Sequence, residues 1–370
     1  MKAKVYFTDM RTRPGRNLLD KLSALIVKAG VENIDLKDKF VALKIHFGEP
    51  GNLSYIRPNY AARIAQHLIQ HRAKPFLTDA GTLYLGRRSN AIDHINAAFE
   101  NGFNPLSVPC PVIIADGIKA IDYVEIPINQ KYCQTAKIAA AIAQSDVIVS
   151  LNHFKGHEQT GLGGAIKNLG MGSASVAGKL ELHSSSKPVI KPQDCVACGQ
   201  CVKHCASNAV LIGQNNKAEI NYNRCVGCGQ CVAVCQYEAA QPVWDDSVDV
   251  LCYKIAEYAL AVTMNKPHFH INFIMDVSPN CDCWNCNDAA IVPNIGMAAS
   301  FDPVAIDNFS AQMVNQHAAN PHTALKTQRP NELQNVDKFQ LLHPNTNWKA
   351  GLEYAEQIGL GKVDYDVITV

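Results

Sequence analysis

Eight cysteines in two identically spaced runs constrain this chain more than anything else in it. Cys195, Cys198, Cys201 and Cys205 are separated by two, two and three residues, and Cys225, Cys228, Cys231 and Cys235 repeat that spacing. Three thiolates at such intervals let a short loop wrap one face of an iron-sulfur cube, while the fourth enters from the helix that follows. In the two-cube arrangement the fourth cysteine of each run crosses to the other centre. Cys195, Cys198, Cys201 and Cys235 are therefore assigned to one [4Fe-4S] cluster, and Cys225, Cys228, Cys231 and Cys205 to the second. A pair of zinc sites is the alternative, but zinc needs four ligands and has no use for a third cysteine at this spacing on each arm.

Gly199, Gly227 and Gly229 sit inside the loops, where the backbone must turn tightly and aim amides at sulfur. Ala209 to Gly213 and Ala218 to Tyr222 flank Asn215-Asn216 and read as a hairpin. The stretch resembles the bacterial two-cluster ferredoxin domain over roughly 50 residues. It departs from that family at Ala206 and Gln236, where proline is usual; proline is not a ligand, so both clusters are expected to survive.

At 370 residues the chain is too long to be that domain alone. It is 47% hydrophobic and 18% charged, an ordinary globular composition, and its net charge of +1 gives nucleic acid nothing to recognise. No apolar run reads as a signal peptide or membrane span. Thiolates that must stay reduced point to a cytoplasmic protein.

Along the chain, short apolar strands alternate with segments of helical periodicity. Strands are expected at Lys4–Thr8, Phe40–Phe47, Lys74–Thr78, Cys110–Ala115, Tyr123–Ile128, Asp146–Leu151, His268–Met275, Gly296–Ser300 and Tyr365–Val370. Helices are expected at 17–30, 57–72, 89–102, 135–144, 248–264, 303–316 and 348–357, the sixth capped by Asp302 ahead of Pro303. The fold class is α/β: a layered, mostly parallel sheet domain (1–186 and 243–370) with an inserted α+β two-cluster ferredoxin-like domain (187–242). Ser184-Ser185-Ser186-Lys187-Pro188 and Gln241-Pro242 read as its linkers.

Ligands of open α/β sheets bind beyond the carboxyl ends of the strands. The residues just past the expected strands include His46 and Glu49, Asp79, the run Asn152-His153-Phe154-Lys155-Gly156-His157, Asp276 with Ser278, and Asp302. Donors, titratable groups and glycine together suit a small polar or anionic ligand, although solvated loops and helix caps give the same pattern. His46, His153, His157 and Lys155 are the candidates for proton transfer. Asp79, Gly163, Gly164, Lys167, Asn168 and Asp302 are the candidates for substrate binding. Gly163 and Gly164 lead into a helix whose amides could hold an anion, close packing being the alternative reason for glycine there. Arg87 and Arg88 read as a solvated face.

Cys281, Cys283 and Cys286 follow the strand that bears His268 and His270, which share one face of it. They read as a third metal site or as reduced, reactive thiols beside the cleft. Cys110, Cys133 and Cys252 read as small buried hydrophobes.

Three passages together carry a further resemblance. They are Leu151 to His157 running into Gly164 to Gly170, then Cys281-Asp282-Cys283, then Pro293 to Gly296 with Ala299 to Asp307. The chain resembles domain of unknown function family 362, often found with ferredoxin-type clusters. The resemblance implies architecture and cluster content but no reaction. It makes Lys155, His157, Lys167, Asn168, Asp302 and Asp307 the family-typical polar positions. The expected function is an iron-sulfur redox protein, an oxidoreductase if the cleft is catalytic, that takes electrons from or gives them to a soluble protein partner and passes them to a small ligand. The alternatives are a non-catalytic electron carrier and a binding or assembly protein with structural clusters.

Overall fold

The computed structural model describes residues 2–83, 86–183, 187–205, 207–225, 230–235, 237–241, 243, 248–326 and 329–370. Eight strands form the central sheet: β1 (Ala3–Asp9), β2 (Phe40–Ile45), β3 (Lys74–Asp79), β4 (Val112–Ile114), β5 (Val147–His153), β6 (His268–Ile274), β7 (Gly296–Ser300) and β8 (Tyr365–Thr369). Their order is β8-β1-β7-β6-β5-β2-β3-β4. Among these strands only β7 runs against its neighbours, β1 and β6. The rest pair in parallel.

β5 lies mid-sheet and is buried along its whole length. Its side chains alternate between two cores, Ile148 to one and Val147, Val149 and Leu151 to the other. Burying each contributes roughly 1.5–3 kcal/mol. Helices α1 (Leu18–Ala29), α2 (Pro58–Gln70) and α3 (Ala91–Glu100) cover one face of the sheet. The opposite face carries α4 (Ala165–Ser173), α5 (Val176–His183), α6 (Val248–Thr263), α7 (Pro303–Gln316) and α8 (Trp348–Gln357).

Local chemistry sets the ends of these elements. Asn17 and Asp20 form a reciprocal capping box on α1, which stops at Gly30 in the left-handed region, φ 92°. Asp302 accepts the Val304 and Ala305 amides, both at 2.9 Å, to start α7, as its sequence position suggests.

One expected helix is a correction. Thr135–Ala139 is a strand paired with Tyr123–Pro127, and helix begins only at Ala140. Ala136 and Ile138 are buried while Thr135 and Lys137 are half-buried, so the period is two and the hairpin wins.

The cysteine-rich segment adds no described strand to the central sheet. Its antiparallel pairs are Val189–Ile190 with Ala240–Gln241, and Val210–Ile212 with Ala218–Ile220, the expected hairpin. Short helices at Gln200–Lys203 and Gln230–Ala233 follow the two cysteine loops. Gly227, Cys228, Gly229, the Ser184–Ser186 linker and Pro242 lie outside the described residues.

Candidate functional site

β2 and β5 are neighbours whose chains leave toward opposite faces, β2 into α2 and β5 into α4. Such a switch of direction opens a crevice at the carboxyl ends of both strands. A cleft of about 680 Å³ occupies that place, lined by His46, Asp79, His153, Lys155, His157 and Lys167 among others. The expected cleft therefore exists, and most of the residues assigned to it line it.

Its floor is a network of buried charge. The Lys44 ammonium, 1% exposed, lies 2.8 Å from Asp79 Oδ1 and 2.7 Å from Asn168 Oδ1. Burial lowers its pKa against the pull of Asp79. Asp79 Oδ2 faces the Arg88 guanidinium at 3.6 Å and His94 Nε2 at 3.7 Å. Burial pushes the Asp79 carboxyl up, but Lys44, His46, His94 and Arg88 together hold it well below its ordinary value. Arg88 Nε in turn donates to Glu49 Oε2 at 2.7 Å. Asp79 is thus the hub of the floor rather than an open ligand-binding group.

Above the floor stand residues from the stretch after β5. Asp282, wholly buried, accepts from His153 Nδ1 at 2.8 Å and pairs with the Lys155 ammonium at 3.1 Å. Burial pushes the Asp282 carboxyl up; His153 and Lys155 more than reverse it, and it stays ionised. His153 Nε2 meets the Met275 and Asp276 carbonyls at 3.0 and 3.2 Å, so both of its nitrogens are engaged. His157 Nδ1 accepts the Gln159 and Thr160 amides, both at 3.2 Å, and His46 Nδ1 accepts the Gly48 amide at 3.0 Å. In each of these two rings the proton therefore sits on Nε2. Burial keeps both neutral, His46 well below the ordinary histidine value and His157 below it.

Cys281 lies among cationic and hydrogen-bonding groups of the cleft. Its sulfur, on a residue 4% exposed, lies 3.7 Å from Lys167 Nζ. A hydrogen bond from Cys283 holds the thiol well below its ordinary value; burial opposes this, and Lys167 and His157 reinforce it. Cys283 is pushed up by the same bond and by burial. Cys286 is exposed, and the three sulfurs do not converge on one ion. The reactive-thiol reading is the one this geometry favours. Among the described residues only Glu32, His67 and His71 bring three ligand atoms within 4.8 Å of one another.

Several sequence assignments are corrected. Asp302 is not in the cleft: β7 is the antiparallel strand, so its carboxyl end emerges at the far edge of the sheet. There Asp302 accepts the Val304, Ala305 and Lys362 amides. His268 and His270 belong to that same edge, at the start of β6, where they bond to each other at 2.8 Å. The amides at the start of α4 are not free for a ligand, because Asp307 takes Ala165 N at 2.7 Å and Ile166 N at 2.9 Å. A Cβ on Gly164 would lie 2.2 Å from Asp307 Oδ1, so close packing explains that glycine. Gly163 does line the cleft, but beside Lys155 and Lys167 rather than as an amide cradle. The Asn168 side-chain amide is spent on the Lys44 and Leu151 carbonyls and on Asn152, which makes it a clamp between helix and sheet. Arg88 is 2% exposed rather than solvated, whereas Arg87 is on the surface, paired with Glu100 at 2.6 Å.

Lys44, Arg88 and Asp282 were not assigned to the site by sequence reasoning. The one available signal was Lys44 itself, a charge inside an otherwise apolar strand, where an unpaired ammonium would be too costly to bury.

The cysteine segment presents a second arrangement. Cys195, Cys198, Cys201 and Cys235 line one small cage. The Cys195 sulfur accepts the Ala197 and Ala218 amides at 3.4 and 3.3 Å, and the Cys235 sulfur accepts the Ala240 amide at 3.4 Å. In the other set, the Cys205 sulfur accepts the Ala209 amide at 3.2 Å. Cys225 and Cys231 are described; Cys228 is not. Burial pushes the lone thiols Cys110 and Cys252 up to about 11 and about 12, and Cys133 higher still, as buried hydrophobes require.

Helix α5, absent from the expected elements, joins the two arrangements. Val176 and Leu180 belong to the same buried cluster as Cys195, Cys201, Cys231 and Cys235, while Lys179 and His183 line the cleft. Burial lowers Lys179 to about 8 and His183 to about 3.

Among the described residues no helix is long and apolar enough to cross a membrane. No curated protein matches the chain. The structure is similar to the lactate racemase apoprotein from Thermoanaerobacterium thermosaccharolyticum, with 12% identity and a TM-score of 0.39, over 95% of this chain and 77% of that one. It is also similar to a Thermotoga maritima protein, with 11% identity and a TM-score of 0.30, over 70% of this chain and 50% of that one. Residues 41–312 match the model of the family described as Domain of unknown function (DUF362), and the chain belongs to that family.

Proposed function

We propose that this chain is an iron-sulfur redox protein with two [4Fe-4S] clusters that passes electrons to a small polar or anionic substrate or cofactor in the cleft. The observation that carries the reading is α5, one helix about 10 Å thick with its side chains. Its apolar residues Val176 and Leu180 share a buried cluster with four of the cysteines, and its basic residues Lys179 and His183 line the cleft.

The donor set fits a cube. Cys235 joins Cys195, Cys198 and Cys201 around one cage across a long sequence gap, which is the crossing that the spacing requires. Tetrahedral zinc would draw four sulfurs to about 4 Å from one another, given Zn–S bonds of about 2.3 Å. These four do not gather within single-ion reach. Amides directed at the sulfurs are what stabilises cluster thiolates. Cys205, Cys225, Cys228 and Cys231 would hold the second cluster. Such clusters supply single electrons when bound.

In the cleft, Lys155 and Lys167 attract and orient the anion. His46 and His157, neutral and each with its proton on Nε2, donate hydrogen bonds to the anion. His153 positions Lys155 through Asp282, and Asn168 positions Lys44. A soluble protein in a cytoplasmic setting completes the electron path.

The test is anaerobic purification with iron, sulfide and zinc counts, then spectra before and after chemical reduction. About eight iron atoms per chain is the expected result. Zinc in place of iron at the eight thiolates would overturn the reading. A small molecule copurifying with the wild type and lost in His157→Ala or Lys167→Ala would locate the ligand.

A further inference from the structure

We infer that Cys281 and Cys283 form a thiol-disulfide exchange site, with Cys281 as the attacking sulfur and Cys283 as the resolving one, open to a small anionic disulfide in the cleft. The inference rests on the cleft as a ligand site and not on the cysteine cages.

The geometry comes first. Both residues line the cleft, and a turn closed by the Trp284 amide on the Cys281 carbonyl at 3.3 Å carries them. A disulfide needs its Cα atoms within about 4.4–6.8 Å, a span open to residues two apart in a chain that folds back on itself. Each thiol shifts the other, Cys281 down and Cys283 up, as close neighbours in one cleft do. Cys286, the third thiol of the stretch, is exposed and lines no part of the cleft.

The surroundings assign the roles. Lys167 from α4 lies 3.7 Å from the Cys281 sulfur, and His157 and Lys155 from the stretch after β5 and His46 from beyond β2 share its cleft and its electrostatic field, with Asp282 and Cys283 beside it. That set favours the thiolate at Cys281 and leaves the proton on Cys283, the division of labour an attacking and a resolving thiol require. Glu49 and Asp79 are already paired with buried cations and Lys155 with Asp282, so the Lys167 ammonium beside Cys281 is what favours an anion there, with Glu158 the other carboxylate of the lining.

The steps balance. The Cys281 thiolate attacks one sulfur of R–S–S–R; the substrate disulfide breaks, a Cys281–S–S–R bond forms, and R–S⁻ leaves with the electron pair. Cys283 gives up its proton and attacks the Cys281 sulfur. The Cys281–Cys283 disulfide forms as the second R–S⁻ departs. One R–S⁻ takes the Cys283 proton. The substrate gains two electrons and the cysteine pair loses them.

The experiment uses the full chain, isolated anaerobically with its metal and reduced. It is exposed to oxidised glutathione, which is anionic, or to hydroxyethyl disulfide, which is neutral, and peptides are then mapped by mass. The wild type should end with a Cys281–Cys283 bond and no adduct. Cys283→Ser should trap a mixed disulfide on Cys281, and Cys281→Ser should leave Cys283 unreacted. Iodoacetamide on the unmutated protein should label Cys281 before Cys283. Lys167→Gln should slow that labelling about tenfold at pH 7 and move its pH midpoint up by about one unit, with Lys167→Arg restoring both. First reaction at Cys283 or Cys286, or a wild-type adduct that never resolves, would overturn the proposal. Equal rates with the two disulfides would uphold the thiol pair and overturn its selectivity for anions.

Discussion

The cage and the cleft bring polar groups together in opposite ways. The cage takes its thiols from one stretch, Cys195 to Cys235, whose short helices and strands of two or three residues share one small buried cluster. The cleft takes Lys44, Asp79, Arg88, His153, Lys167 and Cys281 from six places along the chain. A full hydrophobic core and a closed set of ion pairs hold those residues in position. A site made of neighbours in sequence depends for its order on what it binds; a site made of distant residues is ordered by the fold around it.

The sharpest way to break this contrast is to remove a thiol. Cys235→Ser should lower bound iron from about eight to about four per chain, and Cys195→Ser should remove the same spectral signature. Both variants should keep the α/β unfolding transition in circular dichroism. If Cys235→Ser and Cys205→Ser abolish the same signature, the crossed assignment is wrong. If either variant melts the central sheet, the two regions are one cooperative unit and the contrast fails.

That contrast also governs what could be read from the chain. The cysteine runs were legible because ligand spacing is a local property, and the strands and most helices because apolar periodicity is. Thr135–Ala139 was misread because five residues with two alanines fit either period until the partner strand Tyr123–Pro127 is seen. Asp302 was misplaced because the direction of β7 depends on its pairing with β1 and β6, and nothing within Gly296–Ser300 encodes it. The amides ahead of α4 looked available because Asp307, which takes them, lies far along the chain. Cleft membership was half legible, since residues after parallel strands do gather there; which of them are already satisfied was not.

Within the cleft, the floor should be the most costly part to disturb. Asp79→Asn leaves the Lys44 and Arg88 charges buried without their shared counterion, and should destabilise the protein by about 3–5 kcal/mol in denaturant titration. A loss below about 1 kcal/mol would mean that solvent reaches the floor and that the network is not what holds the cleft open.

His94 gives a pH test of the same floor. Burial lowers its pKa from 6.5 to about 3, more than nearby Asp79 can raise it. The unfolded chain takes up a proton near pH 6.5 that the folded protein refuses. The stability associated with the neutral ring is therefore complete above pH 6.5 and is lost as pH falls toward 3. Neither ring nitrogen makes a hydrogen bond. His94→Leu should match the wild type closely at pH 7 and exceed it by a few kcal/mol near pH 4, read as denaturation midpoints across the range. His183, also lowered to about 3, keeps some slope in the variant. Parallel pH curves for the two proteins would show that the folded protein protonates His94 as readily as the unfolded chain does.

The smallest effect belongs to Arg87, and its value lies in its neighbour. Arg87 and Arg88 are chemically identical and adjacent, and no local property of the sequence separates them. In the fold the Arg87 side chain is 46% exposed and pairs with a Glu100 side chain 52% exposed, while Arg88 is 2% exposed between Glu49 and Asp79. Water and salt screen the first pair, whose entropy of ordering nearly offsets its attraction. Removing the second leaves buried Glu49 without its cation and Asp79 with Lys44 but not Arg88. Arg87→Ala should therefore leave the denaturation midpoint close to that of the wild type, with any difference vanishing in high salt. Arg88→Ala should cost about 3–5 kcal/mol at any ionic strength. Equal losses at the two positions would mean that this loop does not carry Arg88 into the cleft floor, and the charge network built on Asp79 would lose one of its cations.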